Sequence, residues 1–232
     1  CPANKGYKLI MRVLHHYMLS SGSRFVRLYL AEHKMEFLPK LEEYWKSEPA
    51  FLKLNVAGTV PVLVEDDGAV LCGAYAIAEY FDDIMPETTL ISGNPAERAE
   101  IRRLFDWLSG RFEREVVQPL INERLIRRMT GEGVPSSVVI RTALSNLSVH
   151  LAYFNHLAER RQWLGGAKMS IADLMAAASL SVLDFMNDMN WDDWAELKIW
   201  YARIKSRPAF RALLADQVTG ITPPGHYTNL DF

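Results

Sequence analysis

The sequence predicts a mixed α/β unit followed by an all-helical unit. Three observations carry that prediction. Strand-like and helix-like segments follow one another in the order β-α-β-α-β-β-α as far as residue 84. A stretch rich in turn formers, MPETTLISGNP at 85–95, ends that order. Beyond it the apolar residues carry the period of helices. The expected boundaries are 12–84 for the α/β unit, 85–95 for a linker, 96–217 for the helical unit and 218–232 for an extended tail. Residues 1–11 read as a leader or extension outside the fold.

RVLHHY at 12–17 reads as a short strand, and SSGS at 20–23 as a turn with capping residues. The helix after it shows an apolar stripe at Val26, Tyr29, Leu30 and His33. MEFLPKLEE at 35–43 reads as a second strand running into a loop, and SEPAFLKLN at 47–55 as a short helix. VPVLVE, a DDG turn and AVLC make a hairpin. The helix AYAIAEYFDDI closes the unit, and its start is bare. Gly73 and Ala74 stand where Ser, Thr, Asp or Asn usually answers an unpaired backbone N–H.

Residues 95–129 read as one long helix or two, interrupted at Pro119. GEGVPSS breaks the chain at 131–137, with Pro135 near the next first turn. Ile140, Leu144, Leu147, Leu151 and Phe154 then form a buried stripe. Ser170 to Asp173 has the shape of a capping box and leads into LMAAASLSVLDF. Helices around AELKIWYARIKS and PAFRALLAD precede the tail ITPPGHYTNLDF.

A chain of 232 residues, 49% hydrophobic and 23% charged, has ample material for a buried core and an ordinary globular composition. A net charge of −2 argues against a nucleic-acid partner. No apolar run approaches the ~20 residues that cross a bilayer, so no membrane partner is expected. Cys1 and Cys72 are too few for a disulfide framework, and a reducing cytoplasm is the expected location. Cys72 reads as a buried strand residue, with a ligand groove as the alternative. The six histidines lack metal-ligand spacing, and His15 and His16 are neighbours on a strand and face opposite sides, so no metal site is expected. No Gly-rich phosphate loop is present.

Four segments in order resemble the glutathione transferase superfamily. SSGSRFVRLYLAE resembles its first-helix entry. FLKLNVAGTVPVLV resembles its Asn-Pro-x-Gly-x-Val-Pro segment. AIAEYF resembles its third helix, and WLGGAKMSIADLMAA its hydrophobic-Gly plus Ser-x-x-Asp folding motif. The resemblance implies a thioredoxin-like N-terminal domain, an all-helical C-terminal domain and a cis bond before Pro61. In the family the backbone at Val60-Pro61 holds the cysteinyl part of glutathione; the same turn also shapes the fold without a ligand. The family places a catalytic residue at Ser20, with Ser23 and the strand-end Tyr17 as alternatives, where it would lower the pKa of the glutathione sulfur. The same serines read equally as helix caps, and Ser21 replaces the family's proline.

The resemblance also implies what is missing. An acidic residue followed by Ser grips the γ-glutamyl end where this chain has Gly73 and Ala74, which offer backbone groups only. Two lost charge-assisted contacts of about 1.5–3 kcal/mol each weaken glutathione by ~100-fold or more. Glutathione is therefore expected as a ligand only under an enzymatic reading, and no cofactor otherwise. A bare helix start without this pair, the EEYW loop and the HYTNLDF terminus resemble one branch of the superfamily, the transferase-like cell-division proteins of alphaproteobacteria that bind the tubulin-like protein FtsZ. That branch implies a homodimer binding FtsZ polymer at the division site. Candidate partner anchors are Tyr44 and Trp45 in the loop and Tyr227, Leu230 and Phe232 in the tail. Packing of Trp45 in its own domain and docking of the tail on its own body are the alternatives. The arginines at 98, 102, 103, 111, 114, 124, 127 and 128 read as a solvated face or a basic stripe.

Overall fold

The computed structural model describes residues 12–230; the leader reading at 1–11 and the candidate anchor Phe232 lie outside the described residues. Four strands, β1 (Val13–His16), β2 (Leu38–Leu41), β3 (Val62–Val64) and β4 (Val70–Cys72), form one sheet in the order β2-β1-β3-β4. β1 and β2 run parallel, which the crossover through α1 (Ser21–Glu32) requires. β3 pairs antiparallel with β1, in the register Leu14 opposite Leu63, and the hairpin lays β4 antiparallel beside it. Asp67 accepts a hydrogen bond from the Ala69 amide at 2.9 Å, and Gly68 takes the positive φ that the turn needs. β2 is exposed along its length, which is why it tolerates Pro39 on an edge.

α2 (Pro49–Leu52) is a single turn, and α3 (Ala74–Ile84) follows β4 directly. α1 buries more than the expected stripe, because it packs against both α3 and α8 (Ile171–Phe185). His33, the last member of that stripe, caps the helix end. Its ring nitrogens reach the Tyr29 carbonyl at 2.8 Å and the Thr88 carbonyl at 3.1 Å.

The expected interruption at Pro119 does not occur. α4 (Pro95–Asp106), a π-helical stretch (Trp107–Val117), α5 (Gln118–Ile121), a second π-helical stretch (Asn122–Ile126) and α6 (Arg127–Thr130) run on without a break. Proline lacks the N–H that would meet the Glu115 carbonyl. Asn146 of α7 (Ser137–Arg160) supplies a donor instead, Nδ2 to the Glu115 oxygen at 3.2 Å. The wider i→i+5 bonding accommodates the ring.

α8 is buried on every side, the mark of a central helix. The predicted box at its start is complete. Asp173 accepts from the Ser170 amide at 3.0 Å and from the Ser170 hydroxyl at 2.7 Å. It also accepts from the Leu164 amide at 2.6 Å and the Trp200 indole at 3.0 Å, so the motif ties α8 to the preceding loop and to α9 (Ala195–Lys205). Gly165 must be glycine, since a Cβ there would collide with the Ser170 hydroxyl. After α10 (Arg211–Leu214) the tail does not stay extended. It folds back through a Val218–Ile221 bridge and a 3₁₀ turn at Gly225–Tyr227. Among the described residues, no helix is long and apolar enough to cross a membrane.

Candidate functional site

A groove of about 590 Å³ opens where the first turn of α1, the cis Val60-Pro61 bond and the start of α3 meet the π-helical stretch. Each wall is held locally. Asn55 braces the loop before Pro61, with Nδ2 donating to the Thr59 carbonyl at 2.8 Å and Oδ1 accepting from the Ala57 amide at 3.1 Å. The Gly73 amide donates to the Pro61 carbonyl at 3.0 Å and fixes the start of α3 against the cis turn. Gly22 lets α1 approach closely, because a Cβ there would lie 3.1 Å from Pro61 Cδ and 3.5 Å from Ala74 Cβ. Val60, Pro61, Gly73 and Ala74, the four expected ligand-backbone positions, all line this groove.

Of the three catalytic candidates, Ser20 lines the groove. It is also the N-cap of α1, its hydroxyl accepting from the Ser23 amide at 3.3 Å. Ser23 is buried and engaged, accepting from the Tyr17 amide at 3.2 Å. Tyr17 is buried under Tyr44 and Trp45, and its hydroxyl points to Met129 Sδ at 3.8 Å. Burial first, then the charges of Tyr44 and Glu43, push that hydroxyl far above its ordinary range, so it stays neutral. Cys72 corrects an expectation. It is exposed and lines the groove rather than the core, because β4 is an edge strand whose residues 70 and 72 face outward. Its thiol rests on the Leu54 carbonyl at 3.6 Å, and desolvation raises its pKa, so it is not an activated thiolate.

The helical unit contributes a residue that the sequence reading passed over. Glu113 lines the groove, and its Oε2 is shielded from solvent without a hydrogen-bond partner. Burial pushes its carboxyl up to about 7. The Ser21 hydroxyl stands beside it and offsets part of this, without reaching hydrogen-bond geometry with Oε2. Glu113 lies within the arginine run, and only tertiary packing distinguishes it. The run itself is largely paired: Arg102 with Glu79 at 3.0 Å, Arg103 with Glu100 at 2.7 Å, and Arg111 with Glu115 at 2.9 Å.

The partner anchors fare unevenly. Trp45 and Tyr44 are half-buried, with Trp45 edge-on to Tyr17 at 4.9 Å, so packing in the chain's own body accounts for much of both rings. Tyr227 is fully buried and is no free anchor. Its hydroxyl accepts from Arg24 Nη1 at 2.9 Å and donates to the Leu213 carbonyl at 3.0 Å. Leu230 is exposed. His15 meets Glu42 at 2.7 Å, and burial together with Arg27 lowers the His16 pKa to about 4. Among the described residues no three His, Cys, Asp or Glu side chains converge as a metal would need.

Sheet order, cis turn, α1 entry and buried Ser-x-x-Asp box together define a thioredoxin-like domain joined to a helical domain, and the chain belongs to the glutathione S-transferase family. The family's N-terminal domain matches residues 19–84 and its C-terminal domain residues 141–217. The chain is 41% identical to FtsZ-localized protein A of Caulobacter vibrioides, over 96% of this chain and 99% of that protein. The solved structure of FzlA from C. crescentus superposes with a TM-score of 0.92 at 41% identity, covering 96% of this chain and 100% of that one. A glutathione S-transferase structure from Rhodospirillum rubrum F11 is as similar, at 43% identity and a TM-score of 0.91, covering 96% of this chain and all of that one.

Proposed function

We propose that this chain is a non-catalytic homodimer that binds FtsZ filaments at the bacterial division site, on a transferase fold whose glutathione grip has been lost. The observation that carries this reading is its near full-length similarity to FtsZ-localized protein A. The groove supports it: Gly73 and Ala74 bring no side-chain donor or charge to the place where a γ-glutamyl group would be held. A two-fold dimer would present two filament sites, and two linked sites bridge polymers through effective concentration. In this reading the protein works in the cytoplasm, needs no cofactor and takes no nucleic acid or membrane as partner.

Co-sedimentation with polymerised FtsZ tests the proposal. The chain should pellet with polymer and stay in the supernatant without it. Equal recovery in both conditions overturns the reading. One observation favours a second reading, a serine-type glutathione transferase: Ser20 lines the groove at the α1 entry. Glutathione-dependent turnover of an electrophile that falls at least about tenfold in Ser20→Ala would establish it.

A further inference from the structure

We propose that Glu113 is the selectivity gate of the groove: its carboxylate stands beside the first turn of α1 and keeps an anionic sulfur out, so the groove favours ligands that bring no negative charge there. The first turn of α1 presents unpaired N–H groups and the positive end of a twelve-residue helix. That end is what would favour a thiolate. Here a carboxylate already faces it. Two anions sharing one site penalise each other strongly. A thiol ligand entering the groove would therefore have to stay protonated or force Glu113 to take a proton.

Among the described residues, no cation lines the groove to relieve this. From α1 the facing groups are the hydroxyls of Ser20 and Ser21. From the 3₁₀ turn at Tyr44–Lys46 comes Tyr44, whose own hydroxyl is pushed up by burial and by the Glu113 charge. Lys46 of that turn is engaged with Glu43 at 2.6 Å. From β4 comes Cys72, and from α3 comes Tyr75, whose hydroxyl donates to Glu79 at 2.6 Å and accepts from Arg102 at 3.1 Å; from Glu113's own helix come Ser109 and Gln118. Arg24, further along α1, is committed to Ser181, Tyr227 and Asp216. The unpartnered Oε2 and the raised pKa are two faces of one situation, a half-buried acid whose inner oxygen has no cation beside it among the described residues.

This inference does not rest on filament binding, since uptake of a small peptide and co-sedimentation are separate measurements. The test is an NMR titration of the full chain and of Glu113→Gln, followed at the Gly22 and Ala74 amides. Glutathione is added at about pH 8 and about pH 6, on either side of the Glu113 transition. S-Methylglutathione, which keeps the peptide charges but has no ionisable sulfur, is the second probe. At the higher pH, Glu113→Gln should bind glutathione at least about tenfold more tightly than the wild type. At the lower pH the difference should shrink below about threefold, and the S-methyl probe should gain less than about threefold at either pH. Three results overturn the gate: no gain in the variant, an equal gain at both pH values, or an equal gain for the S-methyl probe. If circular dichroism shows Glu113→Gln unfolded, Glu113→Ser is read by the same criteria. Loss of fold in both makes Glu113 structural and overturns the proposal as well.

Discussion

A carboxyl shielded from solvent without a partner destabilises its protein far more when it is charged than when it is neutral, so the cost of Glu113 depends on pH. Its folded pKa lies at about 7, above that of the unfolded chain. The folded state therefore binds the proton more tightly. The stability from this group is fully present below the unfolded pKa, near 4.3, and is lost as pH rises through about 7. The loss has an upper bound of roughly 4 kcal/mol. Replacing Glu113 by Gln keeps the shape and removes the charge. Glu113→Gln should gain stability over the wild type as pH is raised from about 5 to about 8, by one to three kcal/mol, roughly. Urea denaturation at both values measures the difference, and a gap that does not change with pH refutes the burial argument. The residue escaped sequence reading for a physical reason. An acid among arginines is ordinary, and only the approach of α1 to the π-helical stretch shields one of its oxygens from solvent.

Local devices were readable because their partners lie close in sequence. Ser170 and Asp173 are three residues apart, and the Asp-Gly hairpin turn and the bare start of α3 are equally local. Pro119 misled because its rescue comes from Asn146, on another helix. Cys72 misled because strand residues were assumed to face inward, and on the edge strand β4 residues 70 and 72 do not. The start of α3 also carries more than missing side chains. Gly73 holds φ at +91° and ψ at 146°, a region that L side chains rarely adopt. Space is not the obstacle, since nothing lies within 4 Å of a Cβ built there. Putting an acidic residue back should therefore cost backbone strain alone. Gly73→Glu should lower stability by about 1–2 kcal/mol without changing the denaturant slope. An unchanged midpoint would mean that this turn relaxes freely.

At the scale of the whole molecule, Arg24 joins elements that are far apart in the chain. It is fully buried on α1, and its guanidinium donates to the Met18 carbonyl at 2.6 Å, Ser181 of α8 at 2.8 Å, Tyr227 of the tail at 2.9 Å and Asp216 at 3.3 Å. Arg27 adds a two-oxygen grip on Asp216, both bonds at 2.8 Å. A buried arginine is costly unless its donors are answered, so the tail is part of what lets α1 sit against α8. Beside it, Lys205 donates to the His226 carbonyl at 3.0 Å and His226 meets Asp184 at 2.9 Å, which holds the turn that positions Tyr227. Tyr227→Phe separates the hydroxyl from the ring. The ring keeps its edge-on contact with Phe185 at 5.1 Å and its place under the Arg24 charge. The hydroxyl's two hydrogen bonds go, one of them to a buried cation. The expected loss is about 1.5–3 kcal/mol. Because Arg24 ties the thioredoxin-like and helical domains together, far-UV circular dichroism and tryptophan fluorescence should report the same lowered midpoint. A loss under about 0.5 kcal/mol would show that Arg24 finds other acceptors when the hydroxyl leaves. Two separate midpoints would show that the hydroxyl, rather than the ring, couples the two domains.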